Sequence, residues 1–290
     1  MSDMLSRVAG APISWGVCEV SGWGHQMPPD RVLTEMRELG LAATEFGPDG
    51  FLPTDPDEAA ELLRSYDLKA VGGFVPVVLH EGDPLADVER ALRHFTSATA
   101  STLVLAAATG LEGYDARPAL DDAQWATLLR NLDRIKILAA EQGIVATLHP
   151  HVGTMVEQRD EVHRVLDGSD IGLCLDTGHL LIGGTDPVEL ATKATERIAH
   201  THLKDVDEAM AARVRTGEIG YTDGVRQGLY RPLGQGDIDI AAIIKALDSS
   251  GYTGWYVMEQ DTVLDAEPAD GAGPVADVRA SLDFIRRAAS

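Results

Sequence analysis

The regular alternation of short apolar runs with amphipathic segments limits how this chain can fold more than any other feature. The predicted strands are RVAGAPISW, LAATEF, KAVGGFVPVVL, STLVLAAA, IVATLH, IGLCLD, IAHTHL and WYVMEQ. Segments with helical spacing separate or follow them, from PPDRVLTEMRELG near the start to ADVRASLDFIRRAA at the end. Because neighbouring parallel strands need helical crossovers, this alternation predicts a parallel sheet.

Eight strand–helix units in 290 residues close most economically into a (β/α)₈ barrel. No change of composition marks a linker, so residues 1–290 are predicted to form a single domain. A doubly wound open sheet is the alternative, but no G-x-G-x-x-G motif follows the first strand to support dinucleotide binding.

One long segment interrupts the alternation. Residues 206–237 follow the seventh strand without adding a strand–helix unit. Insertions of this length in barrels usually form lids or binding loops, so we predict a loop that acts as a lid or an oligomer contact. A disordered surface excursion is the alternative.

Composition argues against several kinds of partner. The net charge of −22 would repel phosphate backbones, which argues against nucleic-acid binding. No run approaches 18 uninterrupted apolar residues, and the N-terminus lacks the apolar run of a signal peptide, so no membrane contact is predicted. Cys18 and Cys174 are too few for a disulfide framework and fit a reducing compartment, which makes the cytoplasm the expected location.

Ionisable residues recur where the predicted strands end, which is where barrels of this kind place their active sites. They are Glu45 and Asp49, His80 and Glu81, His149 and His151, Asp176 and His179, His200, His202 and Lys204, and Glu259 and Asp261. A lone histidine at a strand end is usually just hydrogen-bonded, and Asp176 alone could cap a helix. Together, however, adjacent strand tips converge on one volume, where buried imidazoles and carboxylates require a cation. Mixed nitrogen and oxygen ligands suit Mn²⁺, Co²⁺, Fe²⁺ or Zn²⁺.

The motifs LCLDTGH, HTHLKD and WYVMEQD resemble the sugar isomerase/epimerase superfamily of xylose-isomerase-like barrels, over nearly the whole chain. APISWGVCEVSGWGHQMPP, ATEFGPDGFLP and PLGQGDIDI resemble the myo-inosose-2 dehydratase family more narrowly. The resemblance implies one divalent metal, with Mn²⁺ or Co²⁺ favoured and Zn²⁺, Fe²⁺ or Mg²⁺ as alternatives. Four residues at the ends of strands five to eight would hold it.

Carried onto this chain, three of the implied ligands are Asp176, His202 and Glu259. Most relatives have a glutamate in a motif like LENH at the first ligand, whereas this chain has LHPH. Aligning the two motifs makes His149 the metal ligand and turns His151 toward the substrate. A slip of two residues would exchange these roles, and Glu157 could instead supply a carboxylate.

The resemblance also implies an activity, the elimination of water from a cyclic keto-polyol of the 2-keto-myo-inositol type through an enediolate. The catalytic candidates are Glu157, His151 and Lys204, with metal-linked Glu259 as a further base. A carboxylate or imidazole is favoured as the base. Lys204 would assist an oxyanion or the departing hydroxyl, unless it only pairs with Asp205 or Asp176.

Four residues are assigned to the small-molecule polyol or keto-sugar substrate: Trp15, Glu45, His179 and His200. The alternatives are a core position for Trp15, a salt bridge for Glu45, a helix-start hydrogen bond for His179 and a structural place beside the metal for His200. A keto-sugar isomerase or epimerase starts from the same enediolate and is the alternative activity. A non-catalytic carbohydrate-binding or metal-storing barrel is a third reading, and homo-oligomerisation is left open.

Overall fold

The computed structural model describes residues 3–289 and shows parallel strands surrounded by helices. The strands are β1 Val8–Gly10, β2 Ala43–Thr44, β3 Lys69–Ala70, β4 Gly72–Val77, β5 Thr102–Ala107, β6 Val145–Leu148, β7 Gly172–Asp176, β8 Ile198–Leu203, β9 Asp205–Val206, β10 Tyr230–Arg231 and β11 Tyr256–Met258. Nine of them form one sheet in the order β3-β2-β1-β11-β8-β7-β6-β5-β4. Residues 1, 2 and 290 of the predicted domain lie outside the described residues, and its single-domain organisation stays a prediction.

The two ends of this sheet belong to one stretch of chain, because Val71 alone separates β3 from β4. Its N–H donates to Thr44 O at 2.9 Å, and its carbonyl accepts from Thr102 N at 3.1 Å. The next residue, Gly72, has φ of 150°, and a Cβ there would lie 1.8 Å from Thr102 O. Only glycine tolerates this approach. With β3 and β4 counted as one strand, the sheet is the predicted (β/α)₈ barrel.

The helices are α1 Pro29–Glu38, α2 Pro56–Ser65, α3 Leu85–Ser97, α4 Asp122–Glu141, α5 Arg159–Gly168, α6 Thr177–Ile182, α7 Pro187–Lys193, α8 Glu208–Arg215, α9 Tyr221–Arg226, α10 Ile240–Ser249 and α11 Pro274–Ala288. Side-chain hydrogen bonds to the backbone determine where several helices begin. At the start of α4, for example, Asp121 and Gln124 form a reciprocal capping box. All six residues of β5 are buried, as expected of a parallel strand covered on both faces. No helix among the described residues is long and apolar enough to cross a membrane.

Several predicted strands are shorter than their apolar runs, the first two most of all. RVAGAPISW is a strand only over Val8–Gly10, and Pro12–Trp15 forms a 3₁₀ turn. Proline lacks the N–H that a central strand needs, which explains this end. LAATEF pairs only at Ala43–Thr44.

The segment 206–237 was predicted to be a loop, but it has secondary structure of its own. It contains α8 and α9, and β10 pairs with β9 in an antiparallel hairpin. The Asp205 carboxylate accepts backbone hydrogen bonds from Gly234 at 2.8 Å, Gly236 at 2.9 Å and Ile238 at 3.1 Å. These bonds fix where the insertion returns to the barrel. They also explain why Asp205 is not the ion-pair partner of Lys204.

Candidate functional site

A cavity of about 610 Å³ lies at the carboxyl ends of the barrel strands. One end of it is polar and is lined by residues that follow or close three strands. They are His149 and His151 after β6, His202 and Lys204 at the end of β8, and Glu259 and Asp261 after β11. This convergence of strand tips is what the barrel topology predicts.

The four predicted metal ligands lie together around Asp176. Its Oδ2 is 3.2 Å from His149 Nε2 and 3.5 Å from His202 Nδ1. Glu259 approaches from β11, and its Oε2 lies 3.2 Å from the same His202 Nδ1. Donor atoms of Asp176, His202 and Glu259 all lie within 4.8 Å of one another. One cation could contact all three, since metal–ligand distances are about 2.0–2.2 Å.

The hydrogen bonding of His202 fits a metal ligand. Its Nε2–H donates to Glu45 Oε1 at 3.0 Å, which leaves Nδ1 as the basic nitrogen. Nδ1 has no hydrogen-bond partner among the described residues, yet it faces oxygens of Asp176 and Glu259. Burial would lower the pKa of His202, but the acidic groups around the ring hold it well above its usual value. Nδ1 therefore carries a proton, and a metal cation between the two carboxylates would replace that proton. The donor set therefore suits a divalent metal with nitrogen and oxygen ligands.

The Glu45 carboxylate orients the imidazole of His202 through the hydrogen bond from Nε2. Its Oε1 also accepts from His200 Nε2 at 2.8 Å. Burial alone would raise the pKa of Glu45, but positive charge on His202 and the hydrogen bonds from both imidazoles lower it. Carboxylates in this position commonly fix the tautomer of a ligating histidine. Glu45 lines the cavity, whereas His200 is fully buried and does not, so the position of His200 fits the structural alternative better than contact with a substrate.

Lys204 is a buried cation among three carboxylates. Its Nζ lies 2.5 Å from Asp261 Oδ1, 3.0 Å from Glu259 Oε2 and 3.5 Å from Asp176 Oδ2. Burial would lower the pKa of Lys204, but the charges of Asp176 and Asp261 hold it well above its usual value. The side chain is therefore an ammonium ion at the edge of the cavity, 2% exposed.

The insertion contributes two side chains that the sequence analysis missed. Tyr221, on α9, donates its hydroxyl to Asp261 Oδ2 at 2.5 Å and lies 2.8 Å from the hydroxyl of Tyr230. The Tyr230 ring lies under Lys204, with Nζ 5.3 Å from the ring centroid. A tyrosine in a glycine-containing insertion gives no periodic signal that would have identified it. Asp261 stands at a predicted strand end, and that position was the only indication of its role.

His151 is the catalytic candidate that lines the cavity as an imidazole. Its Nδ1–H donates to Val152 O at 2.7 Å, so Nε2 is the basic nitrogen. Burial, and then positive charge on His149 and Lys204, hold the pKa of His151 well below its usual value. The His179 ring packs against this ring at a tilt of 35°, with centroids 3.8 Å apart, and its Nε2 lies 3.1 Å from Lys204 Nζ. His179 does not line the cavity, and its backbone N–H makes the helix-start bond to Asp176.

Trp15 and Glu157, two further predicted site residues, do not line the cavity either. Trp15 is fully buried and its indole N–H donates to Glu35 Oε2 at 2.7 Å, which is the core alternative. The Glu157 carboxylate accepts from Gly153 N at 2.7 Å and lies 3.4 Å from Arg117 Nε. Neither lines the cavity, so neither the substrate role of Trp15 nor the base role of Glu157 is supported by its position.

Comparisons with known proteins agree with this architecture. Residues 33–288 match the model of the xylose isomerase-like TIM barrel family. The rhizopine catabolism protein MocC of Rhizobium meliloti is 32% identical over 271 residues, covering 90% of this chain and 83% of MocC. The inosose dehydratase of Geobacillus kaustophilus (strain HTA426) is 31% identical over 296 residues, covering 97% of this chain and 94% of that enzyme.

Solved structures show the same fold at low identity. The probable 3-DHS dehydratase AsbF from Bacillus anthracis has a TM-score of 0.68 at 14% identity, with 97% of this chain and 98% of that chain covered. The IOLI protein, solved with a zinc atom, has a TM-score of 0.66 at 13% identity, with 98% of each chain covered.

The chain thus belongs to the xylose isomerase-like TIM barrel family. Within that family it is an inosose dehydratase-like enzyme, a hydro-lyase by its likeness to several such relatives. The resemblance seen in the sequence motifs is confirmed.

Proposed function

We propose that this protein eliminates water from a cyclic keto-polyol of the 2-keto-myo-inositol type, with a divalent metal held by His149, Asp176, His202 and Glu259. The observation that carries the proposal is the basic Nδ1 of His202, which faces two buried carboxylates and lacks a hydrogen-bond partner among the described residues. The inosose dehydratase that aligns with 97% of this chain supports the substrate class.

When bound, a divalent metal would supply the positive charge that stabilises an oxyanion on the substrate carbonyl. The chain's own residues then account for the proton transfers. Neutral His151 Nε2 accepts the proton α to the carbonyl, and the electron pair of that C–H bond forms the C=C bond of an enediolate whose oxygen takes the negative charge. As the carbonyl re-forms, the electron pair moves into the new C=C bond between the α and β carbons. The β C–O bond breaks, and Lys204 Nζ donates a proton to the departing oxygen. One water molecule is lost, and solvent returns the proton from His151 to Lys204.

The metal identity, location and assembly of the protein are also proposals. Two imidazoles and two carboxylates suit Mn²⁺ or Co²⁺, and a barrel of this fold is compatible with a metal, as the IOLI structure with a zinc atom indicates. The free thiols of Cys18 and Cys174 fit the cytoplasm. The insertion 206–237 as a lid, and homo-oligomerisation, stay predictions.

Reconstitution with single metals tests the proposed reaction. Chelated protein reloaded with Mn²⁺, Co²⁺ or Zn²⁺ is mixed with 2-keto-myo-inositol, while absorbance of a conjugated product is followed and NMR spectra are recorded in D₂O. Metal-dependent loss of water is the expected result. Deuterium exchange or a new keto-sugar without water loss would replace the dehydratase by an isomerase or epimerase. No change in either spectrum would overturn the proposed substrate.

Tyr221 is expected to act as a positioning residue for Lys204, through Asp261. Tyr221→Phe removes a 2.5 Å hydrogen bond to a carboxylate while keeping the ring. Such bonds to charged groups contribute about 1.5–3 kcal/mol. If about half of that is transmitted to the ammonium position, kcat falls about three- to tenfold. KM for the keto-inositol should be unchanged.

Steady-state kinetics and thermal unfolding of Tyr221→Phe would be compared with those of Tyr66→Phe, a change at the end of α2. Tyr66→Phe should leave kcat, KM and Tm unchanged. An unaltered kcat in Tyr221→Phe would contradict the positioning role. The role would also be contradicted if Tm fell so far that unfolded protein at the assay temperature explained the whole loss of activity.

A further inference from the structure

The cavity continues well beyond the polar end where the reaction is proposed. It runs from Lys204 and Glu259 across the barrel mouth to α2 and α3 on the outside. At about 610 Å³ its size is typical of sites for drug-sized ligands, for which volumes of about 300–1,000 Å³ are usual. A keto-inositol ring bears only small oxygen substituents, so it would leave much of this space to other atoms.

A break in strand pairing creates the outer part of the cavity. Beyond Gly72, whose carbonyl accepts from Phe46 N at 2.9 Å, the third barrel strand leaves β2. Within the described residues β4 pairs only with β5, over Gly72 to Val77. Pro76, on this strand, has no N–H to continue a ladder. The gap between β4 and the segment after β2 joins the barrel mouth to the space under α2 and α3.

We call this outer part the side arm, and its lining is apolar. Its residues are Phe46, Leu52, Ala59, Val75, Ala91 and Phe95. The Phe46 and Phe95 rings, which both line it, stack with centroids 5.2 Å apart. These side chains offer no hydrogen bonds to the hydroxyls of a polyol.

Polar residues at the outer end of the side arm are engaged with one another. Arg90 pairs with Asp87 at 2.7 Å, and His94 Nε2 donates to Thr54 O at 2.8 Å. Arg90 and Asp87 are exposed, so the arm leads to solvent rather than to a buried charged site. A ligand group in the arm would gain mainly from burial of apolar surface.

We propose that the side arm is a substrate subsite for an aryl or alkyl group, joined to the cyclic keto-polyol through an ether or glycosidic oxygen. The polyol ring occupies the polar end, and the apolar group passes through the gap beside β4 and packs against Val75, Ala91 and Phe95. This inference rests on the proposed function, because it extends the substrate bound at the same site.

Binding measurements that need no turnover test the side arm. Calorimetric titration of the protein as purified would compare myo-inositol with the set of its mono-O-benzyl ethers. At least one benzyl ether should bind tenfold or more tightly than myo-inositol, since burying a phenyl group typically favours binding on that scale. If every benzyl ether binds no more tightly than myo-inositol, the subsite is refuted.

Variants that fill the side arm test whether the benzyl group binds there. Ala91→Trp fills the side arm and should reduce the preference for the benzyl ether to less than threefold. Glu89→Trp adds the same ring to an exposed position of α3 that does not line the cavity, and should keep the preference. Val75→Phe narrows the side arm from β4 and should reduce the preference for the benzyl ether equally. This second variant tests the subsite even if Ala91→Trp is unstable. Equal preferences in Ala91→Trp, Val75→Phe and Glu89→Trp would overturn the proposal.

The outcome separates this inference from the proposed reaction. A benzyl preference that Ala91→Trp removes would support the subsite even if 2-keto-myo-inositol is not dehydrated. Metal-dependent dehydration without any benzyl preference would overturn the subsite and leave the dehydratase proposal intact.

Discussion

Replacing Asp176 by asparagine is expected to remove the bound metal and turnover together. Asp176 Oδ2 lies within 3.5 Å of donor atoms of both His149 and His202, so this carboxylate joins the two halves of the ligand group. Asparagine keeps the oxygen that accepts from His179 N at 2.8 Å, and the start of α6 is therefore preserved. Loss of the Lewis acid should lower kcat/KM by about 10³-fold or more, equivalent to about 4 kcal/mol.

Metal content by mass spectrometry and kcat/KM would be measured on the same preparation of Asp176→Asn. The matched control is Glu157→Gln, the same acid-to-amide change outside the cavity, where the amide oxygen can still accept from Gly153 N. Glu157→Gln should retain both metal and turnover. Full activity of Asp176→Asn would remove the metal from the mechanism. Loss of metal in Glu157→Gln would make Glu157 a ligand, and slow turnover with metal retained would make it the base.

The barrel was predictable because each of its strands carries its own apolar pattern, and parallel strands admit few arrangements. The way the ring closes was not predictable. It depends on φ of Gly72 and on the two hydrogen bonds of the Val71 backbone, which no side-chain pattern reports. The same change of strand pairing at Val71 and Gly72 opens the side arm, so the side arm could not be predicted from the sequence either.

The positions of the site residues were predictable where backbone topology fixes them. His149, Asp176, His202 and Glu259 end neighbouring strands, and parallel strands bring such residues to one edge. Side-chain direction is not fixed by topology in this way, and the sequence left it open. Trp15 follows β1, yet its indole N–H donates to Glu35 on α1. This is a tertiary contact between two elements, and the local sequence does not indicate it.

The insertion shows a different limit. The length of residues 206–237, and the lack of a strand–helix unit in them, predicted a loop. The segment is nevertheless ordered, because the Asp205 carboxylate and the β9–β10 hairpin hold its ends, and Tyr221 N donates to Asp115 Oδ1 at 2.8 Å. Those contacts are tertiary, and they carry Tyr221 to Asp261. Local propensity could not indicate them.

Replacing Lys204 by methionine is expected to separate catalysis from metal binding. The change removes the ammonium group that lies 3.5 Å or less from oxygens of Asp176, Glu259 and Asp261. Without a proton donor for the departing hydroxyl, kcat should fall about 10³-fold, within the usual contribution of general acid catalysis. The ligand group becomes more negative by one charge, so the divalent metal should bind at least as tightly as in the unaltered protein.

Lys204→Met should also be less stable when chelated than when metal is present. Removing one partner of a buried ion cluster typically costs about 3–5 kcal/mol, and a metal that binds only the folded state offsets part of that cost. Metal content, kcat and Tm with and without chelator would be compared with those of Lys193→Met, where an exposed lysine pairs with Glu189. Lys193→Met should change none of them. If Lys204→Met retains kcat within threefold, Lys204 serves only as an ion pair, and the proton for the departing hydroxyl must come from another group in the cavity.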